Sequence, residues 1–265
     1  MESDPPDSIT EKGVTPVCFE LTSRPPIAPI SGAAVNHEKL QLQAADGARV
    51  AAFAATPDAA PKAGIVVLPD VRGLYKFYEE LALRFGERGY LAVAIDYYGR
   101  TAEDANERGE DFPFSDHVVQ NTPETVLADV AAGVEWARRT CDSVFTVGFC
   151  YGGRYSWLAA TAGLDLAGAV GFYGIPGIRQ GVAGPTQHAS EIASPILALQ
   201  AGDDEHIPQE QNEEFEMALR DAGVEYELVV YDGAPHSFFD RKQEEYSAAS
   251  ADAWERVLGF LERHT

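Results

Sequence analysis

Short apolar runs alternate with amphipathic segments along most of the chain. Six runs are predominantly apolar, which is typical of strands buried on both faces of a sheet. These runs are residues 64–68, 90–95, 144–148, 166–172, 196–200 and 226–231. The amphipathic segments predict helices over residues 78–88, 123–139, 151–162, 210–222 and 246–262. The alternation predicts an α/β fold, with a mostly parallel central sheet and helices on both of its faces.

The N-terminal part of the chain departs from this alternation. Residues 1–35 contain six prolines and no clear period, so we interpret them as an N-terminal extension of a single domain, residues 36–265. Residues 40–44 and 49–55 read as two short strands, and the Ala45-Asp46-Gly47 turn would join them into an antiparallel hairpin. We expect this hairpin to form an antiparallel edge of the sheet.

Composition narrows the classes of partner. The 265 residues include 20 lysines and arginines against 42 acidic residues, a formal net charge of −22 that opposes binding to nucleic acid or to an anionic membrane surface. No apolar stretch approaches the roughly 18 residues that a membrane span requires, and the N-terminus lacks the basic and apolar regions of a signal peptide. We therefore predict a soluble cytoplasmic protein.

One of the three cysteines has a distinctive setting. The odd number of cysteines and the lack of a Cys-x-x-Cys spacing argue against a disulfide framework and a structural zinc site. Cys18 and Cys141 are interpreted as small buried hydrophobes. Cys150, in the segment Gly148-Phe149-Cys150-Tyr151-Gly152-Gly153, lies between a predicted strand and a predicted helix. Glycines permit a sharp turn there, and the helix N-terminus would favour a thiolate, so Cys150 is the candidate nucleophile.

A catalytic thiol needs a base, and two later loops offer one together with an acid. Asp203 and Asp204 follow the predicted strand at 196–200, and His236 follows the last predicted strand. The chain order of cysteine, aspartate and histidine is the order of nucleophile, acid and base in α/β-hydrolases. His236 would accept the thiol proton, and an aspartate would fix its tautomer.

Three motifs resemble the dienelactone hydrolase family: the segment 148–153, the loop Asp204-x-x-x-Pro208 and the triplet His236-Ser237-Phe238. The resemblance extends from about residue 40 to the C-terminus. It implies an α/β-hydrolase fold and hydrolysis of small lactones or activated esters through a thioester, without a cofactor or metal. In the family the acid lies four residues before the proline, which implies Asp204 as the third member of the triad.

The same resemblance implies further site residues. The backbone N–H groups of Val71 and Tyr151 would form the oxyanion hole, and Asp70 occupies a position where the best-known members carry a glutamate beside the thiol. The family holds its substrate carboxylate with two arginines, and Arg241 lies one residue later than one of those positions, which Asp240 takes here. The arginines that are candidates for binding an anionic substrate are Arg72, Arg100, Arg108 and Arg241.

Several alternatives stay open. A general carboxylesterase with an apolar substrate would use the same triad, and a non-hydrolytic protein with a reactive thiol would use the same fold. Tyr97 and Tyr98, which follow a predicted strand, either line the pocket or pack in the core. The physiological substrate and the oligomeric state do not follow from the sequence.

Overall fold

A mixed sheet organises the residues that the computed structural model describes, 23–102, 108–109, 111–239 and 245–265. The strands are β1 (Val35–Gln43), β2 (Arg49–Pro57), β3 (Gly64–Leu68), β4 (Leu91–Ile95), β5 (Val144–Phe149), β6 (Gly168–Phe172), β7 (Ile196–Asp203) and β8 (Tyr226–Pro235). The helices are α1 (Lys76–Gly86), α2 (Phe114–Val118), α3 (Pro123–Arg138), α4 (Tyr151–Ala159), α5 (Gln209–Asp221) and α6 (Ser247–His264). Over this part of the chain the strand order is β1-β2-β4-β3-β5-β6-β7-β8.

The strand directions match an α/β-hydrolase sheet. β1 pairs antiparallel with β2, and β2 pairs antiparallel with β4. The remaining pairs, β4-β3, β3-β5, β5-β6, β6-β7 and β7-β8, are all parallel. The turn between β1 and β2 closes with a hydrogen bond from Gly47 N–H to the Ala44 carbonyl at 2.9 Å, and the φ of Gly47 is +86°. The predicted fold class, including the N-terminal hairpin, is confirmed.

Two apolar layers explain why the central strands carry apolar residues on both of their faces. In β3, Ile65 and Val67 face the core beneath α1 and α6, and Val66 and Leu68 face the core beneath α3 and α4. All five residues of β3 are buried. Because both faces are covered, every position along such a strand contributes to stability by removing apolar surface from water.

The sheet extends beyond its predicted ends where the site forms. β7 and β8 continue to Asp203 and Pro235, and these two residues pair across the strands after an irregularity between Ala201 and Asp203. The residues that come next, Asp204 and His236, therefore leave the sheet side by side. The short helix α2 was not predicted.

The N-terminal region is described only in part. Residues 1–22, including Cys18, lie outside the described residues, and Ile27 packs into the core with 8% of its surface exposed. The division between an extension at 1–35 and a domain at 36–265 stays a prediction. In the described ranges, no helix combines the length and the apolar character needed to cross a membrane.

Candidate active site

Cys150 lies at a strained turn between a strand and a helix. β5 ends at Phe149 and α4 begins at Tyr151, so Cys150 alone makes the reversal, with φ 52° and ψ −110°. A positive φ costs a residue with a Cβ atom roughly 1–3 kcal/mol, so surrounding contacts must impose it. Hydrogen bonds from Cys150 N–H to the Phe172 carbonyl (3.0 Å) and from Arg154 N–H to the Cys150 carbonyl (3.2 Å) hold the turn. The thiol remains partly exposed at its apex.

The glycines of this turn allow it to press against neighbouring backbone. A Cβ atom on Gly152 would lie 2.1 Å from the Leu68 carbonyl oxygen and 2.4 Å from that of Pro69. A Cβ atom on Gly148 would lie 2.0 Å from the Gly152 carbonyl oxygen. Only glycine fits at these two positions, which brings the first turn of α4 against the loop that follows β3.

Asp204 and His236 form a buried pair at the ends of β7 and β8. His236 Nδ1 lies 2.7 Å from Asp204 Oδ2, and the other carboxylate oxygen accepts a hydrogen bond from His206 N–H at 2.8 Å. The side chain of Asp204 is fully buried, and 15% of the His236 side chain is exposed. A proton held at Nδ1 by the carboxylate leaves Nε2 as the basic nitrogen. Asp203, by contrast, is exposed.

Tyr173 connects this pair to the cysteine turn. It directly follows β6, it is completely buried, and its ring centroid lies 5.0 Å from that of His236 and 6.4 Å from that of Phe149. The predicted nucleophile, base and acid thus follow β5, β8 and β7 at the same edge of the sheet. This is the edge where parallel α/β sheets bind their ligands.

The loop after β3 supplies the remaining predicted residues. Asp70 is completely buried, its Oδ1 accepts a hydrogen bond from Arg72 N–H at 2.9 Å, and its carbonyl accepts one from Gly73 N–H at 3.1 Å. Val71 lies within this turn, two residues after Pro69, whose carbonyl lies against Gly152. The Tyr151 N–H belongs to the first turn of α4, where backbone donors have no partner inside the helix. The two predicted oxyanion donors therefore come from adjoining segments.

Comparison with known proteins places this arrangement in a family. The model of the dienelactone hydrolase family matches residues 50–265, a span that begins within β2 and contains the cysteine turn, the Asp204–His236 pair and the loop after β3. The chain belongs to the dienelactone hydrolase family. Membership in the dienelactone hydrolase family makes the protein a hydrolase of the kind that acts on lactones and esters, and it confirms the resemblance carried by the three motifs.

Individual members of the dienelactone hydrolase family are moderately similar in sequence. A protein of Escherichia coli (strain K12) named "Putative carboxymethylenebutenolidase" is 32% identical over 246 residues, which cover 84% of this chain and 90% of the relative. A Yersinia pestis protein of the same name is 31% identical over 234 residues, covering 82% and 85% of the two chains. The crystal structure titled "Putative Dienelactone Hydrolase" from Klebsiella pneumoniae superposes with a TM-score of 0.76 at 28% identity, covering 86% of this chain and 99% of the other.

Two candidate arginines of this dienelactone hydrolase family member contact buried carboxylates. Arg72 Nε lies 3.8 Å from Asp70 Oδ2, and its guanidinium stacks 4.4 Å from the ring centroid of Tyr75. Arg108 Nη2 lies 2.7 Å from Asp96 Oδ2. Both arginine side chains are at least nine-tenths buried. Their positive charges are therefore balanced by carboxylates of the protein itself.

The remaining candidate arginines are Arg100 and Arg241. Arg100 donates to both oxygens of Asp129 at 2.6 and 2.7 Å, and to both oxygens of Asp46 at 2.8 and 3.0 Å. All three nitrogens of this guanidinium thus donate to carboxylates of the protein, and the hydrogen bonds from Arg100 lower the pKa of Asp46. Arg241 lies outside the described residues.

A group of buried residues beneath the loop after β3 was not among the predicted site residues. Asp96, Tyr97 and Tyr98 follow β4 and are buried beneath residues 69–74. Burial raises the pKa of both tyrosines, so their hydroxyls stay protonated and donate hydrogen bonds. The only signal was an acidic residue directly after a buried strand, because a charge in that position needs buried partners.

The two described cysteines of this dienelactone hydrolase family member contrast in environment. Cys141 is 5% exposed, and burial raises the pKa of its thiol, which keeps it in the protonated, unreactive form. Cys150 is partly exposed at the first turn of a helix. Over the described ranges, His, Cys, Asp and Glu side chains form no group of three or more that could hold a metal ion.

Proposed function

We propose that this protein is a cysteine-dependent hydrolase that opens small lactones or cleaves activated carboxylic esters through a thioester acyl-enzyme. The observation that carries the proposal is the positive φ of Cys150 at the β5–α4 turn, at the same sheet edge as the Asp204–His236 pair. A strained turn of this kind exposes a nucleophile, and the hydrogen-bonded pair is the base and acid that a thiol requires.

The first half of the reaction would transfer the acyl group to the cysteine. His236 Nε2 accepts the thiol proton as Cys150 Sγ bonds to the carbonyl carbon, and the carbonyl oxygen becomes an oxyanion held by the N–H groups of Val71 and Tyr151. Collapse breaks the bond between the carbonyl carbon and the leaving oxygen, which takes the proton from His236. With a lactone, that new hydroxyl or enol stays attached to the acyl group.

The second half would release the acid. His236 removes a proton from water, the resulting hydroxide attacks the thioester carbonyl, and the same oxyanion hole holds the negative charge. Collapse then expels the Cys150 thiolate, which regains its proton from His236. Asp204 supports the imidazolium in both halves through its 2.7 Å contact with Nδ1.

The sulfur nucleophile limits the substrates. A thiolate leaves a tetrahedral intermediate more readily than an amine does, so amides would return to starting material. Enol esters, aryl esters and lactones carry better leaving groups. We therefore propose activated esters and lactones as substrates, rather than peptides.

A second candidate function is that of a general carboxylesterase with an uncharged, apolar substrate. The ion pairs of Arg72, Arg100 and Arg108 favour it, because a guanidinium that already contacts a carboxylate attracts a substrate carboxylate less strongly. An anionic lactone and a neutral aryl ester, compared on wild type and Arg72→Gln, separate the two. A rise in KM for the anionic lactone alone supports the dienelactone-type substrate, and equal effects support the neutral ester.

The test of the central proposal is a panel of lactones and aryl esters assayed on wild type and Cys150→Ala. We expect the variant to lose at least about a thousandfold in kcat/KM, because triad members act as a unit. Cys141→Ala is the matched control, and its activity should equal that of wild type. Unchanged turnover in Cys150→Ala would refute the proposed nucleophile.

The same panel addresses the alternative of a non-hydrolytic reactive thiol. Wild type that turns over none of the substrates, while iodoacetamide still modifies Cys150 rapidly, would favour that alternative. We further propose a cytoplasmic location, because free thiols at Cys141 and Cys150 suit a reducing compartment.

A further inference from the structure

We propose that the segment Asp96-Tyr97-Tyr98 positions the oxyanion hole, by fixing the orientation of the peptide group that carries the Val71 N–H. The inference rests on the proposed function, because Val71 matters to catalysis only if its N–H receives the oxyanion. It adds three positioning residues, all completely buried or nearly so, that act through the loop after β3.

The peptide group before the one that carries the Val71 N–H is fixed at both of its polar atoms. The Pro69 carbonyl accepts a hydrogen bond from the Tyr97 hydroxyl at 3.0 Å, and the Asp70 N–H donates to the Tyr78 hydroxyl oxygen at 2.9 Å. A peptide group is planar, so two hydrogen bonds on its opposite edges determine how the plane is turned.

The peptide group that follows is fixed in the same way. The Val71 carbonyl accepts a hydrogen bond from the Tyr98 hydroxyl, and the Arg72 N–H donates to Asp70 Oδ1 at 2.9 Å. The Asp70 carbonyl, which shares a peptide group with the Val71 N–H, accepts from Gly73 N–H at 3.1 Å. In a trans peptide the N–H and the carbonyl point in opposite directions, so the Val71 N–H is directed away from this turn.

Asp96 holds the end of the same loop. Its Oδ1 accepts a hydrogen bond from Leu74 N–H and its Oδ2 accepts one from Tyr98 N–H, both at 3.0 Å. Gly73 has a φ of +82°, and a Cβ atom there would lie 2.4 Å from Asp96 Oδ1. The Arg108 guanidinium balances the buried charge at 2.7 Å. One carboxylate thus joins the loop, the tyrosine segment and a cation.

Tyr97 also contacts the second oxyanion donor. Its ring centroid lies 5.5 Å from that of Tyr151 in an edge-to-face arrangement, while its hydroxyl donates to the Pro69 carbonyl. A single buried side chain therefore links the Val71 loop to the first residue of α4. Donors in an oxyanion hole must be placed to within about 0.5 Å, and this link fixes the distance between them.

The test removes single hydroxyls and leaves the rings in place. In Tyr98→Phe and Tyr97→Phe, we expect kcat for 4-nitrophenyl acetate to fall roughly 10- to 100-fold with KM nearly constant. Tyr231→Phe is the matched control, because it loses a 2.7 Å hydrogen bond from its hydroxyl to Asp252 in α6, away from the loop after β3. The control should keep the kcat of wild type.

Two reagents separate an effect on the oxyanion from an effect on the thiol. Iodoacetamide alkylates Cys150 without forming an oxyanion, so its rate should be the same in Tyr98→Phe and wild type. Butyraldehyde adds to a thiol as a hemithioacetal, whose oxygen occupies the oxyanion position, so its inhibition constant should rise by about the factor by which kcat falls. If the tyrosine hydroxyl contributed only to stability, the variant would have a lower melting temperature, but its alkylation rate and its inhibition constant for butyraldehyde would equal those of wild type.

Three outcomes would overturn the inference. They are an unchanged kcat in both tyrosine variants, an alkylation rate that falls together with kcat, or an equal loss of kcat in Tyr231→Phe. If Tyr98→Phe does not fold, Tyr97→Phe and Asp96→Asn carry the same test. Full activity in Cys150→Ala would instead refute the proposed function, so the two failures can be told apart.

Discussion

At the scale of single residues, the site depends on positions where a side chain is excluded. Gly152 lies so close to the carbonyls of Leu68 and Pro69 that any Cβ atom must displace them. Those carbonyls belong to the last residue of β3 and the first residue of the loop that carries Val71. The glycine is therefore part of the geometry that brings the predicted nucleophile and the predicted oxyanion donors together.

Gly152→Ala should damage both stability and activity. We expect a loss of about 1–3 kcal/mol in the free energy of unfolding, because a methyl group at 2.1 Å from the Leu68 oxygen forces the backbone apart. The kcat should fall as the Val71 loop moves. Urea unfolding and ester hydrolysis measure the two effects.

Gly259→Ala in α6 is the control for that substitution. Its added Cβ atom would meet only the end of the Arg263 side chain at 3.4 Å, so we expect a neutral or slightly stabilising effect and unchanged activity. An equal loss of stability in the two variants would show that close contact with the loop is not what Gly152 provides.

At the scale of elements, an ion cluster joins three parts of the fold. Arg100, in the loop after β4, contacts Asp46 in the β1–β2 turn and Asp129 in α3. The Asp129 side chain is 2% exposed. Burial raises the pKa of Asp129 to about 7, against the opposing effect of Arg100. Without Arg100, the buried carboxylate would have no compensating charge.

Arg100→Ala should therefore destabilise the protein, and more so at high pH. We expect a loss of roughly 3 kcal/mol at pH 8, because the wild type then keeps its carboxylate beside Arg100, whereas the variant must bury that charge alone or bind a proton to remove it. A carboxyl whose folded pKa is raised binds a proton more tightly when folded, so stability falls as pH rises from about 4 through the folded pKa. Urea unfolding at pH 5 and pH 8 should show the smaller loss at pH 5.

The double variant Arg100→Ala with Asp129→Asn provides the comparison. An amide carries no charge to bury, so the double variant should recover part of the stability at pH 8. It should also lose the part of the pH dependence of stability that the titration of Asp129 causes. A loss that is independent of pH in the single variant would mean that packing of the Arg100 side chain matters more than its charge.

The elements themselves were predictable to different degrees. β3, β4 and β5 follow from runs that are almost entirely apolar, because both faces of a central strand are covered. The last residues of β7 and β8 do not, since Gly202, Gly233 and Pro235 are typical of turns and only pairing with the neighbouring strand extends the sheet there. α2 has too few residues to show a helical period.

Some residues of the candidate site could likewise be predicted from the sequence, and others could not. Cys150, Asp204 and His236 stand out because each directly follows a strand, and a local motif carries that information. The contact between Asp96 and Leu74 joins residues 22 positions apart, and the tyrosine hydroxyls meet backbone carbonyls rather than other side chains. No local pattern records such contacts, because any segment has carbonyls to offer.

At the scale of the whole molecule, the dominant property is charge. A formal net charge of −22 makes the folded protein repel itself, and unfolding relieves that repulsion by spreading the charges. Surface ion pairs such as Arg256 with Glu227 act in the opposite sense, but exposed pairs contribute little. Screening should therefore help the folded state more than it harms these pairs.

Raising the NaCl concentration from 0.05 to 1 M should increase the melting temperature by several degrees. The Debye length shortens from more than about 10 Å to about 3 Å over this range, which removes most of the repulsion between separated carboxylates. Differential scanning fluorimetry measures the shift, and Na2SO4 at matched ionic strength reports any additional effect of the anion. A melting temperature that falls with NaCl would show that ion pairs dominate.

Because β5 and β8 occupy different positions in the sheet, the members of the proposed triad lie in segments of different local stability. Cys150 follows a strand enclosed by β3 and β6, whereas His236 follows β8, which lies at the edge and is only half-buried along most of its length. Edge segments open at lower free energy than central ones. Partial opening would therefore separate the base from a nucleophile that is still held in place. Mild heating would then produce a protein that still carries its strained, accessible thiol but has stopped hydrolysing esters.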